Sequence, residues 1–147
     1  MKELIKQLRE VTGAGMLDCQ KALKQTSGDF DQAKEMLIQK LGKKAEKKQD
    51  RATNEGIVAT YVHGNKKMGA MVTVKCETDF VAKNDTFINL ANTIAMQVGA
   101  TNPSDVNELL SQGYIKDPSI TVQELINQAI GKIGENITIG EFKHFVI

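Results

Sequence analysis

Few side chains in this sequence have the type and spacing needed for covalent chemistry. The two histidines, His63 and His144, each fall in a stretch that patterns as a strand, and read as surface or interface residues rather than as a general base or a ligand. Cys76 follows the alternation of its own strand, so packing outweighs nucleophilic use. Cys19 is far from it, and with no CxxC spacing the pair reads as two reduced, partly buried thiols. Glu77 and Asp79 are close in sequence, but two carboxylates without further catalytic context are weak grounds for hydrolysis. The glycines of Thr12-Gly13-Ala14-Gly15 precede a helix, as in some anion sites. No strand precedes them and no Lys-Ser/Thr follows, so a helix–helix turn is the better reading. Neither a cofactor motif nor a metal-ligand set is found, and no catalytic residue is assigned.

One segment is unusual. Asp79-Phe80 falls where a strand ends and a long helix has not yet begun, and Phe80 is one of only seven aromatic residues (five Phe, two Tyr). Two readings are open. In one, Phe80 anchors the core at a strand–helix corner and Asp79 caps the helix; periodicity alone leans this way. In the other, Phe80 is an exposed wedge with Asp79 at its tip, which would imply a receiving pocket on a partner.

The elements that must hold this segment can be read along the chain. Leu4, Leu8 and Val11, with Ile5 beside them, share one helical face. A second helix runs from about Met16 to Gln25 with Cys19, Ala22 and Leu23 inward. Asp29 is placed to cap a third that carries Phe30, Ala33, Leu37 and Leu41, with Gly42 as its expected stop. Residues 43–55 are mostly charged, with almost nothing apolar to bury, and read as a basic linker. A solvated spacer fits better than an RNA contact, because no aromatic platform accompanies it.

A strand over Ile57–His63, a polar turn and a strand from Met68 follow. Ala70, Val72, Val74 and Cys76 alternate with Met71, Thr73 and Lys75 in clean period two. Asn84 is placed to cap a helix whose apolar face is Phe87, Leu90, Ala91, Ile94, Ala95 and Val98, ended by Asn102-Pro103. The stretch 104–119 predicts one short helix and irregular chain. Thr121-Val122-Gln123-Glu124 is a capping box opening a helix that stops near Gly134. The last segment, 137–147, is a strand with a broken apolar phase, which a bulge at Gly140 would explain. Phe145 and Ile147 still leave it apolar on both faces, so a partner subunit or the two helices must cover it.

The fold class is therefore α+β: an N-terminal three-helix UBA-like bundle, then a three-stranded antiparallel sheet packed with helices. The expected division is 1–42 bundle, 43–55 linker and 56–147 core domain. The chain has 147 residues, 41% hydrophobic and 25% charged, with a net charge of +1. That supports a folded protein with no global basic field for nucleic acid. No apolar run is long enough to span a bilayer, and no signal-peptide pattern opens the chain. A cytoplasmic protein, or the mature form of an organellar one, is expected.

Three blocks carry a family resemblance. Leu4-Ile5-Lys6-Gln7-Leu8-Arg9-Glu10 with Thr12-Gly13-Ala14-Gly15-Met16, Asp18 and Lys21-Ala22-Leu23 resembles the N-terminal domain of elongation factor Ts. The run from Cys76 through Thr78-Asp79-Phe80-Val81 to Asn84 resembles the family's signature segment, and Gln128 through Ile137 resembles a third block, in family order. The resemblance implies a non-enzymatic nucleotide exchange factor in translation elongation, acting on elongation factor Tu in its GDP-bound and nucleotide-free forms. It implies that Thr78, Asp79, Phe80 and Val81 act beside the partner's Mg²⁺, and that Arg9, Met16 and Leu17 dock on its GTPase domain. Many relatives carry methionine where Leu17 stands. Longer relatives carry two core halves and this chain one, so a homodimer completing the core near strand 137–147 is expected. No membrane or direct nucleic-acid contact is expected.

Overall fold

A computed structural model describes all residues, 1–147. Three helices open the chain: α1 (Lys2–Thr12), α2 (Met16–Gln25) and α3 (Phe30–Glu46). Gly13, in the left-handed region at φ 73°, ends α1, and Asp29 caps α3 by accepting the Gln32 N–H at 3.0 Å. Leu8, Cys19, Leu23, Ala33 and Leu37 form the small core between them. Two expectations need correction here. Val11 does not join that core: it is 42% exposed, while Thr12 is fully buried with its hydroxyl donating to the Leu8 carbonyl at 2.6 Å. Nor does α3 stop at Gly42. It continues to Glu46 because Leu41 and Ala45 still have apolar surface to bury.

The second unit contains β1 (Glu55–Val62), β2 (Met68–Cys76), α4 (Asp79–Ala82), α5 (Asp85–Thr101), α6 (Val106–Ser111), β3 (Gly113–Tyr114), β4 (Asp117–Thr121), α7 (Val122–Ile133) and β5 (Thr138–Val146). Strands β1, β2 and β5 form an antiparallel sheet in that order, so the last strand lies beside the central one. The inner face (Ala59, Ala70, Val72 and Val74) is covered by α5 through Phe87, Ala91, Ile94, Ala95 and Val98, and Ile126 and Ile130 of α7 complete the core. Asn84 caps α5 and Asn102, at φ 44°, ends it. The Thr121/Glu124 capping box opens α7.

The bulge is where the broken phase pointed. Val72 pairs with Phe142 and Val74 with Ile139, so one extra residue of β5 is absorbed between them. That returns Ile139 and Phe142 to the same inner face. A Cβ on Gly140 would overlap Thr73 Oγ1, which accepts the Glu141 N–H at 2.7 Å. The stretch after α6 is more ordered than its sequence suggests. The β3–β4 hairpin is held by Gln97, which is 1% exposed. It donates to the Gly113 carbonyl at 3.1 Å and the Gln112 side chain at 3.2 Å, and it accepts the Ile115 N–H at 3.1 Å.

The two units do not hang loosely. Helix α3 lies along α7, with Leu41 against Gly131 and Ala45 inside the larger core. Lys34 reaches Asp117 at 3.3 Å and Ser119 at 3.2 Å.

Candidate functional site

The β2–α4 corner starts from a change of hydrogen-bonding partner. The β1–β2 ladder ends at Glu55–Cys76, so the amides of Glu77 and Thr78 find a different acceptor, the Glu135 carboxylate. Thr78, not Asp79, is the helix cap: its Oγ1 accepts the Val81 N–H at 3.3 Å. The four residues Asp79–Ala82 then make a single turn, closed by the Lys83 N–H on the Asp79 carbonyl at 3.2 Å. Asn84 immediately restarts the chain as α5. Two caps in tandem leave only one turn between them, which is why the segment projects as a corner.

Within that turn the side chains divide by direction. Ala82 is buried, and Val81 packs against the larger core. Phe80 is 83% exposed, the most exposed aromatic side chain in the protein. Burying it would be worth about 2 kcal/mol, so this surface is left uncovered at the expense of that stabilisation. The Asp79 side chain is 61% exposed and paired only with Lys83 at 4.0 Å, an exposed contact of little energetic consequence. The core-anchor reading of Phe80 and the cap reading of Asp79 are both wrong. Periodicity could not show this, because the cap sits one residue earlier than it suggests.

Of the four signature residues, then, Asp79 and Phe80 face outward, while Thr78 and Val81 face the protein. The N-terminal residues lie on the other unit. Arg9 is exposed and lines an open groove with Met16, Lys2, Lys6 and Lys132; Met16 is 57% exposed and Leu17 69%. Val11, misread as core, adds a further exposed apolar side chain on this unit.

The remaining chemistry-bearing groups are engaged structurally. Cys19 and Cys76 are free and buried, and burial pushes both thiols up, away from the reactive thiolate. His144 Nε2 lies 3.0 Å from the Gly99 carbonyl and can only donate to it; His63 Nδ1 lies 2.9 Å from the Tyr61 hydroxyl. No three His, Cys, Asp or Glu side chains converge as metal ligands would, and no helix is long and apolar enough to cross a membrane. Sequence reasoning gave no role to Glu135 or Asn136, which hold the corner from a distant turn. Their signals were position, directly after the expected helix stop at Gly134, and membership of the third resembling block, Gln128 through Ile137.

Together these features define a UBA-like bundle fused to an α+β unit, with exposed side chains suited to contact rather than bond-making. The UBA-like domain model matches residues 1–44, and the model described as Elongation factor TS matches residues 77–147. Elongation factor Ts of Oleidesulfovibrio alaskensis is 40% identical over 187 aligned positions, covering 97% of this chain and 94% of the relative. That alignment is longer than this 147-residue chain, so the relative carries intervening residues that are lacking here. Elongation factor Ts of a Nostoc species is 46% identical and that of Clostridium novyi 44%, each over 99% of this chain. The chain spans about half the length of these two, 46% and 47%. The chain belongs to the elongation factor Ts family, a family of translation elongation factors.

Proposed function

We propose that this protein is a guanine-nucleotide exchange factor for elongation factor Tu, acting in the cytoplasm during translation elongation. Phe80, exposed on a capped single turn, is the observation that carries the reading. In it, Phe80 wedges between helices of the GTPase domain and Asp79 disturbs the groups that hold Mg²⁺ against the nucleotide. Mg²⁺ demands near-ideal octahedral geometry and bridges protein to phosphate, so a small displacement of its neighbours weakens GDP strongly. Thr78 and Val81 support the wedge from behind.

Exchange is then linkage: the factor binds the nucleotide-free partner better than the loaded one, and incoming nucleotide expels the factor by the same free energy. No bond is made or broken, so the protein is not an enzyme in the chemical sense. Arg9, Met16 and Leu17, on bundle 1–42, form the second anchor on the partner. The connector within 43–55 joins that anchor to the wedge-bearing unit 56–147.

A homodimer belongs to the same proposal. Opposed residues place Val62, Gly69 and Phe145 on the outer face of the sheet, with Met71 and Lys143 in the next row. Val58, Val62 and Phe145 are 58%, 65% and 64% exposed there, and a second copy would cover them.

The deciding measurement is release of a fluorescent GDP analogue from elongation factor Tu. Asp79→Ala combined with Phe80→Ala is expected to abolish acceleration while circular dichroism and thermal unfolding stay native. Normal acceleration by that double variant would end the wedge reading.

A further inference from the structure

The turn after α7 carries two polar side chains that the exchange reading does not use. Gly134 ends α7 at φ 88° and turns the chain so that Glu135 and Asn136 point back at the corner. Glu135 Oε1 accepts the N–H groups of Glu77 at 3.1 Å and Thr78 at 3.0 Å, and its Oε2 accepts the Thr78 hydroxyl hydrogen at 2.7 Å. Glu77 returns the contact: its Oε2 accepts the Asn136 N–H at 2.6 Å and lies 3.5 Å from Arg51. Asn136, 4% exposed, donates its side-chain N–H groups to the Arg51 carbonyl at 2.9 Å and the Gln49 carbonyl at 3.4 Å. Two segments nearly 60 residues apart thus cap one another's orphaned amides, and the inter-unit connector is tied into the same knot.

The direction of the Thr78 hydroxyl follows from this. Its hydrogen goes to Glu135, which leaves a lone pair for the Val81 N–H. A four-residue helix has almost no stability of its own, so its cap decides whether it forms. Hydrogen bonds to a carboxylate are about twice as strong as neutral ones, and this carboxylate makes three of them.

We infer that Glu135 is the positioning residue of the Asp79-Phe80 tip: through Thr78 it holds the single turn that aims Phe80 at the partner. The inference rests on the exchange reading above. Glu135 touches neither partner nor nucleotide in this role. Losing it leaves Phe80 present but unaimed, so the maximal rate of nucleotide release should fall more than the concentration needed to reach it.

The experiment uses the full chain and fluorescent GDP release from elongation factor Tu across a range of factor concentrations. Glu135→Ala should lower the maximal release rate about tenfold and move the half-saturating concentration by no more than about twofold. Thr78→Val should do the same, and Thr78→Ser, which keeps the hydroxyl, should restore the native rate. The combination of Glu135→Ala with Thr78→Val should be no more than about twofold slower than either alone, because both cut one chain of contacts. Glu135→Gln keeps the volume but turns an N–H towards the Thr78 hydroxyl, and should slow release about threefold. Amide exchange by NMR should show lost protection at Glu77, Thr78 and Val81 in Glu135→Ala, with Ile94 and Val98 unchanged.

A native maximal rate in Glu135→Ala and Glu135→Gln would overturn the inference. So would Thr78→Ser as slow as Thr78→Val, or protection lost at Ile94 and Val98 along with the corner. If Phe80→Ala accelerates nucleotide release normally, the wedge reading is wrong, and if the native chain accelerates none, the exchange reading itself is wrong; in either case the amide-exchange arm alone then decides whether Glu135 holds the turn.

Discussion

Asp18 shows how one side chain ties the small bundle together. It sits in the first turn of α2, where a negative charge favours the helix dipole, and receives Lys40 of α3 at 2.6 Å with Lys44 at 3.7 Å. The Lys40 hydrogen bond holds its carboxyl below the ordinary value of 3.8, and the charges of Lys40, Lys44 and Lys21 act in the same direction against the opposing effect of burial. A folded value below the unfolded one means the unfolded chain binds more protons in that window. The stabilisation is therefore complete above about pH 4 and is lost as pH falls through the folded value. Asp18→Asn should melt below the native protein at pH 7, with a gap that is constant from pH 6 to 8, on the order of the usual working range, and closes below about pH 4. Thermal unfolding of both proteins across that range reads it; a gap that persists undiminished at pH 3, roughly a unit below the unfolded carboxyl, would count against the pair. At the same scale, the reading of Phe80 turned on the neighbour that caps the helix. Moving the cap from Asp79 to Thr78 frees Asp79 and Phe80 together.

At the scale of elements, β5 depends on its bulge. Without the extra residue between Ile139 and Phe142, one of them would face outward and the sheet would lose an inward apolar side chain. The bulge in turn depends on Gly140, because Thr73 occupies the space a Cβ would take and exchanges hydrogen bonds with the Glu141 backbone. Gly140→Ala should destabilise the protein by about 1–3 kcal/mol, as a small-to-large change at a filled site does. Urea unfolding with an unchanged m-value would report it. Combining it with Thr73→Ala should cost little beyond Thr73→Ala alone, since the same contact is already gone. Helix α3 makes a similar point: Gly42 does not stop it, and Ala45, three residues further on, is buried in the larger core.

At the scale of the whole molecule, the two units form one body through α3 and α7, and the knot of Glu77, Glu135, Asn136 and Arg51 brings their connector against the corner. The outer sheet face is the largest consequence still to be tested. Sedimentation velocity at micromolar concentration should find a dimer, and Phe145→Glu should convert it to monomer without loss of secondary structure; a native chain that sediments as a single monomer would exclude the dimer. Much of this architecture was legible in the residues. Period-two alternation in β2, the α5 apolar face, the capping box of α7 and the bulge at Gly140 all follow from local rules of backbone geometry and burial. The signature segment was legible too, but only as a resemblance. Sequence alone left Phe80 leaning towards the core, put Val11 inside, stopped α3 too early and left the β3–β4 hairpin as irregular chain. Three of those four outcomes were decided by a partner distant along the chain: the large core for Ala45, Gln97 for the hairpin, and Glu135, through Thr78, for the turn bearing Phe80. Local pattern determines which residues can form a helix, a strand or a cap. Which face is covered, and which aromatic is left in water, depends on contacts between segments nearly 60 residues apart, and these exist only once the chain has folded.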